Sequence, residues 1–260
     1  MKGFKRNPLR VTVRLFWLAG EISLAFLDFV VNVVFAPKVP LGRARALWLQ
    51  QACRRVLRIL NAEIKTRGPI PLSGLLVCNH LSYLDILVIS TITPAIFISK
   101  SEVKRWPVFG WFAALSGTLF VDRSKRADVA RLNVEVAQTL DSGGLVVLFP
   151  EGTSSDGSSV LPFKSSLLAP ATRLDHPLSV AFLHYSLADG NVGEDVCYWG
   201  DMTLVPHLVN LFSKERVGVN VSFTQMDQSP ATRKELARHL HSQVLQLKEA
   251  GAAQEAVTVA

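Results

Sequence analysis

"GLLVCNHLSYLDILVI", residues 74–89, decides how this chain is read. Gly74 to Cys78 is an apolar run of strand length. Asn79-His80 breaks it, and a helical pattern follows from Tyr83. A buried strand that feeds a helix through a tight turn is the unit of an α/β fold. The same alternation continues downstream. It predicts strands at 74–78, 95–99, 117–122, 144–149, 178–184, 195–199 and 216–224. It predicts helices at 83–91, 107–115, 126–141, 164–173, 202–212 and 230–249. Gly143-Gly144 is placed as a left-handed helix stop, and Ser229-Pro230 as an N-cap and first helical residue. The expected fold class is α/β, with a mixed, largely buried sheet flanked by helices.

Upstream of this unit the chain changes character. Residues 2–10 carry Lys2, Lys5, Arg6 and Arg10, and residues 11–37 form an apolar run long enough to cross a bilayer. The run is too long, and lacks the small-residue site, for a cleaved signal peptide. Arg14, Glu21 and Asp28 recur every seven residues, so they share one helical stripe. Charges at the centre of a lone span cost about 2.5–3.5 kcal/mol each. A helix in the headgroup layer would keep the stripe wet. The basic, helical-looking stretch 41–68 follows. The expected arrangement is a membrane-associated helical hairpin dipping into one leaflet. A single span and a soluble core helix are the alternatives. The resulting organisation is anchoring helices at 1–65, an α/β domain at 66–250 and a frayed tail at 251–260.

The 260 residues suffice for one large α/β domain with an accessory segment. Apolar residues make up 49 % and charged residues 19 %, against about a quarter charged in ordinary soluble domains. The formal net charge of +7 suits anionic lipid and anionic substrates. No nucleic-acid motif accompanies it, so nucleic acid is not an expected partner. Cys53, Cys78 and Cys197 are too scattered for a disulfide framework or a zinc site.

Two readings compete at His80 and Asp85. Ser82-Tyr83-Leu84-Asp85 matches a capping box, which explains Ser82 and Asp85 without chemistry. Alternatively, Asp85 orients His80 so that one imidazole nitrogen stays basic. No G-x-S-x-G elbow and no H-E-x-x-H cluster occurs. A His–Asp pair without either points to a nucleophile supplied by the substrate. Arg123 follows an apolar strand in "SGTLFVDRSKR", residues 116–126, where its planar fork can clamp an anion. "FPEGTSSDGSSVLPFK", residues 149–164, is a Gly/Ser-rich loop at a strand end, where α/β proteins keep their sites.

Together these segments resemble the 1-acylglycerol-3-phosphate acyltransferase family of glycerolipid acyltransferases. Its N-H-x-x-x-x-D motif is matched by Asn79, His80 and Asp85. Its G-x-x-F-[IV]-x-R motif is matched by Gly117, Phe120, Val121 and Arg123. Its F-P-E-G-T-R-S motif is matched by Phe149 to Thr153, and a fourth motif loosely by residues 176–180. The family's Arg after E-G-T is Ser154 here. "TSSDG" at 153–157 and "YWGDMTLVPHL" at 198–208 look more like a bacterial branch that includes lyso-ornithine lipid acyltransferases.

The resemblance implies transfer of a fatty acyl chain from acyl-CoA or acyl carrier protein to a lysolipid hydroxyl, without cofactor or metal. The acceptor it implies first is 1-acyl-sn-glycerol-3-phosphate, giving phosphatidate, with lyso-ornithine lipid as the alternative. His80 and Asp85 would be catalytic. Asn79, Gly117, Phe120, Arg123, Glu151, Gly152, Thr153 and Lys164 would serve the substrate. The protein would work at a membrane surface, on the cytoplasmic face of the inner membrane. An inactive lipid-binding protein, an acyl thioesterase and a membrane scaffold are the rival classes.

Overall fold

A computed structural model describes residues 7–168, 176–226 and 232–259. The chain opens with helix α1 (Pro8–Phe29), continued by a π-helical stretch Val30–Phe35, and then α2 (Leu41–Ile59). The α/β part runs β1 (Ala62–Arg67), β2 (Gly74–Cys78), α3 (Leu84–Ile92), β3 (Ile96–Lys100), a 3-10 turn Ser101–Arg105 and α4 (Phe109–Leu115). It continues with β4 (Leu119–Val121), α5 (Arg126–Asp141), β5 (Leu145–Leu148) and a 3-10 turn Ser165–Leu168. Last come β6 (Leu178–Leu187), α6 (Val192–Asp195), α7 (Leu204–Ser213), β7 (Val217–Met226) and α8 (Arg233–Val259).

The strands form one sheet in the order β1-β7-β6-β2-β5-β3-β4. Every pairing is parallel except β6 with β7. The mixed sheet is therefore as expected. Strands β2, β3, β4 and β5 end on one edge, and loops leaving a parallel edge are where such sheets bind ligands. The period-2 alternation splits the core. Leu76, Cys78, Phe97 and Val147 face α1, α2, α3 and α7. Leu75, Val77, Ile98 and Val146 face α5 and α8.

Several expectations change. Strand β1 lies inside the stretch read as helical. Helix α2 stops where Asn61 takes φ +53°, a left-handed stop that Asn tolerates. Strand β1 then pairs with β7 from Ala62 to Arg67, so the sheet begins before residue 66. The predicted strand 195–199 is not a strand. Val196 and Cys197 are buried, but their amides donate to Val192 O, and the Tyr198 amide donates to Leu81 O. A buried apolar loop carries the same short apolar signature as a strand. Helix α8 continues to Val259 through the stretch read as a frayed tail, whose Ala, Gln and Glu favour helix. Of the predicted helix 164–173, residues 165–168 form a 3-10 turn and 169–173 lie outside the described residues. Ser229-Pro230 and Lys2, Lys5 and Arg6 also lie outside them. Gly143 takes φ +77° directly after α5, as a left-handed stop requires.

The N-terminal helices form a hairpin, but its charge stripe does not face water. The Arg14 guanidinium is buried and donates to the carbonyls of Phe212, Lys214 and Glu215 at the end of α7. Glu21 pairs with Arg55 of α2 at 2.8 Å. Only Asp28 stays outside, accepting from Asn32 at 2.6 Å. Intraprotein partners lower the cost of charge on an apolar helix, so the stripe packs inward. The opposite face is left apolar and bare, with Phe16 83 % and Trp17 59 % exposed. Residues Pro8–Phe35 are long and apolar enough to cross a membrane.

Candidate active site

Asn79 sets where the chain leaves β2. Its Oδ1 accepts from the Leu183 amide at 2.7 Å, and its Nδ2 donates to the Leu183 carbonyl at 3.0 Å. The side chain therefore closes the β2–β6 ladder, and it does not line the cavity described below. His80 emerges one residue later. Its ring stacks on Phe149, at the end of β5, with centroids 4.3 Å apart. Its side chain is 21 % exposed.

Asp85 lies buried at the start of α3, and its contacts are compatible with both readings. Its Oδ2 accepts from the amides of Leu81 and Ser82 at 2.6 and 3.0 Å, which is the capping role. The same oxygen stands 2.7 Å from His80 Nδ1. Its Oδ1 accepts from the Tyr185 hydroxyl at 2.7 Å. A carboxylate only accepts, so the proton sits on His80 Nδ1 and Nε2 keeps its lone pair. The hydroxyl half of the capping box is not made. Ser82 Oγ finds no partner among the described residues.

His80 lines a cavity of about 360 Å³. The helices supply apolar walls, among them Leu18 and Ile22 of α1, Ala52 of α2 and Phe112 of α4. The strand-end loops supply its polar groups: Lys100, Arg123, Thr153 and Ser154. No Asp or Glu lines it among the described residues. A volume in the ordinary range for ligand sites, mostly apolar walls and a few convergent polar groups define a binding site.

Gly152 brings two cations together. A Cβ on it would stand 2.8 Å from Arg123 Nη1 and 3.1 Å from Lys164 Nζ. With φ at +71°, that backbone also favours glycine. Burial lowers the Arg123 pKa, and nearby Glu102 opposes this. Arg123 Nε is buried without a partner among the described residues.

Glu151 does not face the cavity. Its Oε1 accepts from the His80 amide at 2.7 Å and its Oε2 from the Leu161 amide at 3.0 Å. It straps the 149–164 loop to the backbone of His80. Burial pushes its carboxyl up to about 7 against the pull of those two amides. Ser154, where the resembled family has Arg, donates through its hydroxyl to the Tyr198 carbonyl. That bond ties the loop to the 198–208 segment, whose Tyr198 also lines the cavity.

Of the expected site residues, the fold gathers His80, Asp85, Arg123, Gly152, Thr153 and Lys164. It places Asn79 and Glu151 in supporting roles behind them. Gly117 and Phe120 lie apart and border a second cleft. Three further residues that the sequence did not single out stand at the site. Lys100 ends β3, and a cation at the end of a predicted parallel strand was an available signal. Tyr185 and Tyr198 reach the site only through the β6 pairing and a loop contact, which no local pattern marks.

An acyltransferase family model matches residues 62–183. A lyso-ornithine lipid O-acyltransferase of Brucella abortus is 37 % identical over 74 % of this chain and 78 % of its own length. One from Pseudomonas aeruginosa is 31 % identical over 91 % and 92 %. A 1-acyl-sn-glycerol-3-phosphate acyltransferase of Neisseria meningitidis is 34 % identical over 65 % and 68 %. Among solved structures, the 1-acyl-sn-glycerophosphate acyltransferase PlsC of Thermotoga maritima shares the fold. Its TM-score is 0.63 at 20 % identity, over 94 % of this chain and 96 % of that one. By sequence over most of its length, and by a fold the solved enzyme shares, the chain belongs to the acyltransferase family.

Proposed function

We propose that the chain transfers an acyl group from a thioester to the hydroxyl of a lysolipid, with His80 as general base. The observation that carries this reading is a carboxylate-oriented imidazole on the wall of an apolar cavity, beside converging cations. Among the described residues no Ser, Thr or Cys side chain is bonded to His80. The lining thiol of Cys53 is pushed up to about 12 by burial, which leaves it inert. The nucleophile is therefore the acceptor's own hydroxyl. His80 Nε2 takes its proton as the oxygen bonds to the thioester carbonyl carbon. The C–S bond then breaks, and the leaving thiolate receives that proton from the imidazolium. Asp85 stabilises the imidazolium between the two steps. General-base help of this kind contributes about 10²–10⁴ in rate.

Arg123, Lys164 and Lys100 face the headgroup. Three cations without a lining acid fit the phosphate of 1-acyl-sn-glycerol-3-phosphate. A second reading, lyso-ornithine lipid, is favoured by the names of the relatives matched over most of their length. It is also favoured by Ser154, which leaves a lighter clamp that suits a carboxylate. The bare apolar face of α1 supports a position on a membrane surface. On this reading the donor is acyl-CoA or acyl carrier protein and the site faces the cytoplasm at the inner membrane. The test offers both donors with both lysolipids to purified protein in micelles. Acylated lysolipid is expected from wild type and not from His80→Ala. Turnover by folded His80→Ala within tenfold of wild type refutes the base. Fatty acid released without acceptor refutes transfer in favour of hydrolysis.

A further inference from the structure

The second cleft has no part in the chemistry above, yet its charged and aromatic groups come from four separate elements. Arg45 comes from α2, Lys104 from the 3-10 turn, Phe120 from β4, and Arg131 with Glu135 from α5. Three cations face one acid. Glu135 accepts from Arg131 at 2.8 Å, and Asp128 stands 3.5 Å from its other terminal nitrogen, so Arg131 is charge-paired and the uncompensated charge comes from Arg45 and Lys104. A second Arg131 nitrogen donates to the Phe120 carbonyl at 2.9 Å, which fixes the guanidinium. Lys104 Nζ stands 5.9 Å from the centre of the Phe120 ring. Arg45 Nε is buried and has no partner among the described residues. Arg45 and Lys104, set beside an aromatic face with the fixed Arg131 guanidinium behind it, fit a phosphate attached to an organic group.

Position narrows the ligand. Thr118 lines both this cleft and the cavity of His80, so the two spaces adjoin across the turn between α4 and β4. The cations at Gly152 are committed to the acceptor's headgroup. A thioester donor whose acyl chain fills the cavity carries its anionic groups outside it. Acyl-CoA and acyl carrier protein share one such group, the phosphate that ends the pantetheine arm.

We infer that the cleft of Arg45, Lys104, Phe120 and Arg131 holds the pantetheine phosphate of the acyl donor. This rests on the acyl-transfer reading and assigns Gly117 and Phe120 to the donor.

The test is steady-state kinetics of Arg45→Gln/Lys104→Gln with three donors: acyl-CoA, acyl carrier protein, and S-acyl pantetheine without phosphate. Losing charge-assisted bonds from two cations is expected to raise the KM for acyl-CoA, acyl carrier protein or both about 10- to 100-fold. The KM for S-acyl pantetheine and for the lysolipid should move less than twofold. A rise for acyl-CoA alone, or for carrier protein alone, identifies the donor. Lys65→Gln, on the far edge strand β1, should change none of these values and so accounts for overall charge. Lys104 is exposed, so Lys104→Gln alone serves if the double variant does not fold. The inference is overturned if the phosphate-free donor suffers equally, if only the lysolipid KM rises, or if nothing moves. Wild-type protein that uses no thioester at all overturns the functional reading, and this inference with it.

Discussion

Replacing Asp85 by Asn separates its two jobs. Asp85 Oδ2 faces three donors, the amides of Leu81 and Ser82 and the Nδ1–H of His80, while among the described residues Oδ1 faces only the Tyr185 hydroxyl. An Asn that keeps its oxygen at the first position preserves all three bonds. Its NH₂ then meets Tyr185, whose hydroxyl turns to accept. The opposite flip sets NH₂ against three donors and is strongly disfavoured. Asp85→Asn therefore keeps the turn and removes only the charge. Between unit charges about 4 Å apart, at an effective dielectric near 20, that charge stabilises the imidazolium by about 4 kcal/mol. If the imidazolium forms in the rate-limiting step, kcat falls by about 10³. Thiol release from the acyl donor, followed with saturating lysolipid, measures it. Both KM values and the melting temperature should stay close to wild type. A kcat within tenfold of wild type would refute the role of Asp85. So would a loss confined to KM. Asp85→Ala is a poorer probe, because it strands four donors, those of His80, Leu81, Ser82 and Tyr185, at about 1–3 kcal/mol each.

Tyr185→Phe removes the only donor to Asp85 Oδ1 among the described residues. It should lower stability by about 1–2 kcal/mol in a denaturant melt, and kcat with it. Combined with Asp85→Asn it should lower kcat no further, and additive losses would show that Tyr185 acts elsewhere. Glu151 gives a pH signature. Its folded pKa, about 7, lies above the ordinary 4.5, so the native state holds that proton more tightly than the unfolded chain. Its contribution to stability is full below about 4.5 and is lost as pH rises to about 7, a change on the order of 3 kcal/mol. The difference between wild-type and Glu151→Gln stability curves should fall across that window, and a flat difference refutes the assignment. Phe16→Asp with Trp17→Asp should abolish co-flotation with anionic vesicles without changing the fold, because both side chains already face outward. Retained flotation would mean that another surface meets the membrane.

The legible parts of the fold are those in which periodicity and burial agree. Strand β2 and helix α5 lie at the predicted residues, because a fully apolar run and a capped amphipathic stretch each have one good solution. Strand β1 was hidden because Asn61 is a weaker stop signal than glycine, and because an edge strand with one wet face carries few apolar residues. The 195–199 run misled because buried loops and buried strands share composition; only the destination of the backbone amides tells them apart. Within the site, residues on motifs were legible as a set but not by role. Asn79 and Glu151 sit beside the chemistry in sequence, yet each spends its polar atoms on backbone. Lys100 and Tyr185 serve the site from strands that become its neighbours only on folding.

The charge stripe of α1 sets which way each face of that helix points. A seven-residue recurrence fixes that Arg14, Glu21 and Asp28 share a face, but not whether that face meets water or protein. The structure turns Arg14 onto the carbonyls at the C-terminal end of α7, where a cation is favoured. Glu21 is turned onto Arg55. These contacts orient the helix about its own axis. Leu18 and Ile22 then form part of the wall of the His80 cavity, while Phe16 and Trp17 point away from the protein. One helix thus presents a wall to the cavity and an apolar face to the outside. An acyl chain lying along Leu18 and Ile22 would be separated from a bilayer by that single helix. Polar contacts with α7 and α2, rather than the apolar residues, decide which side each face serves.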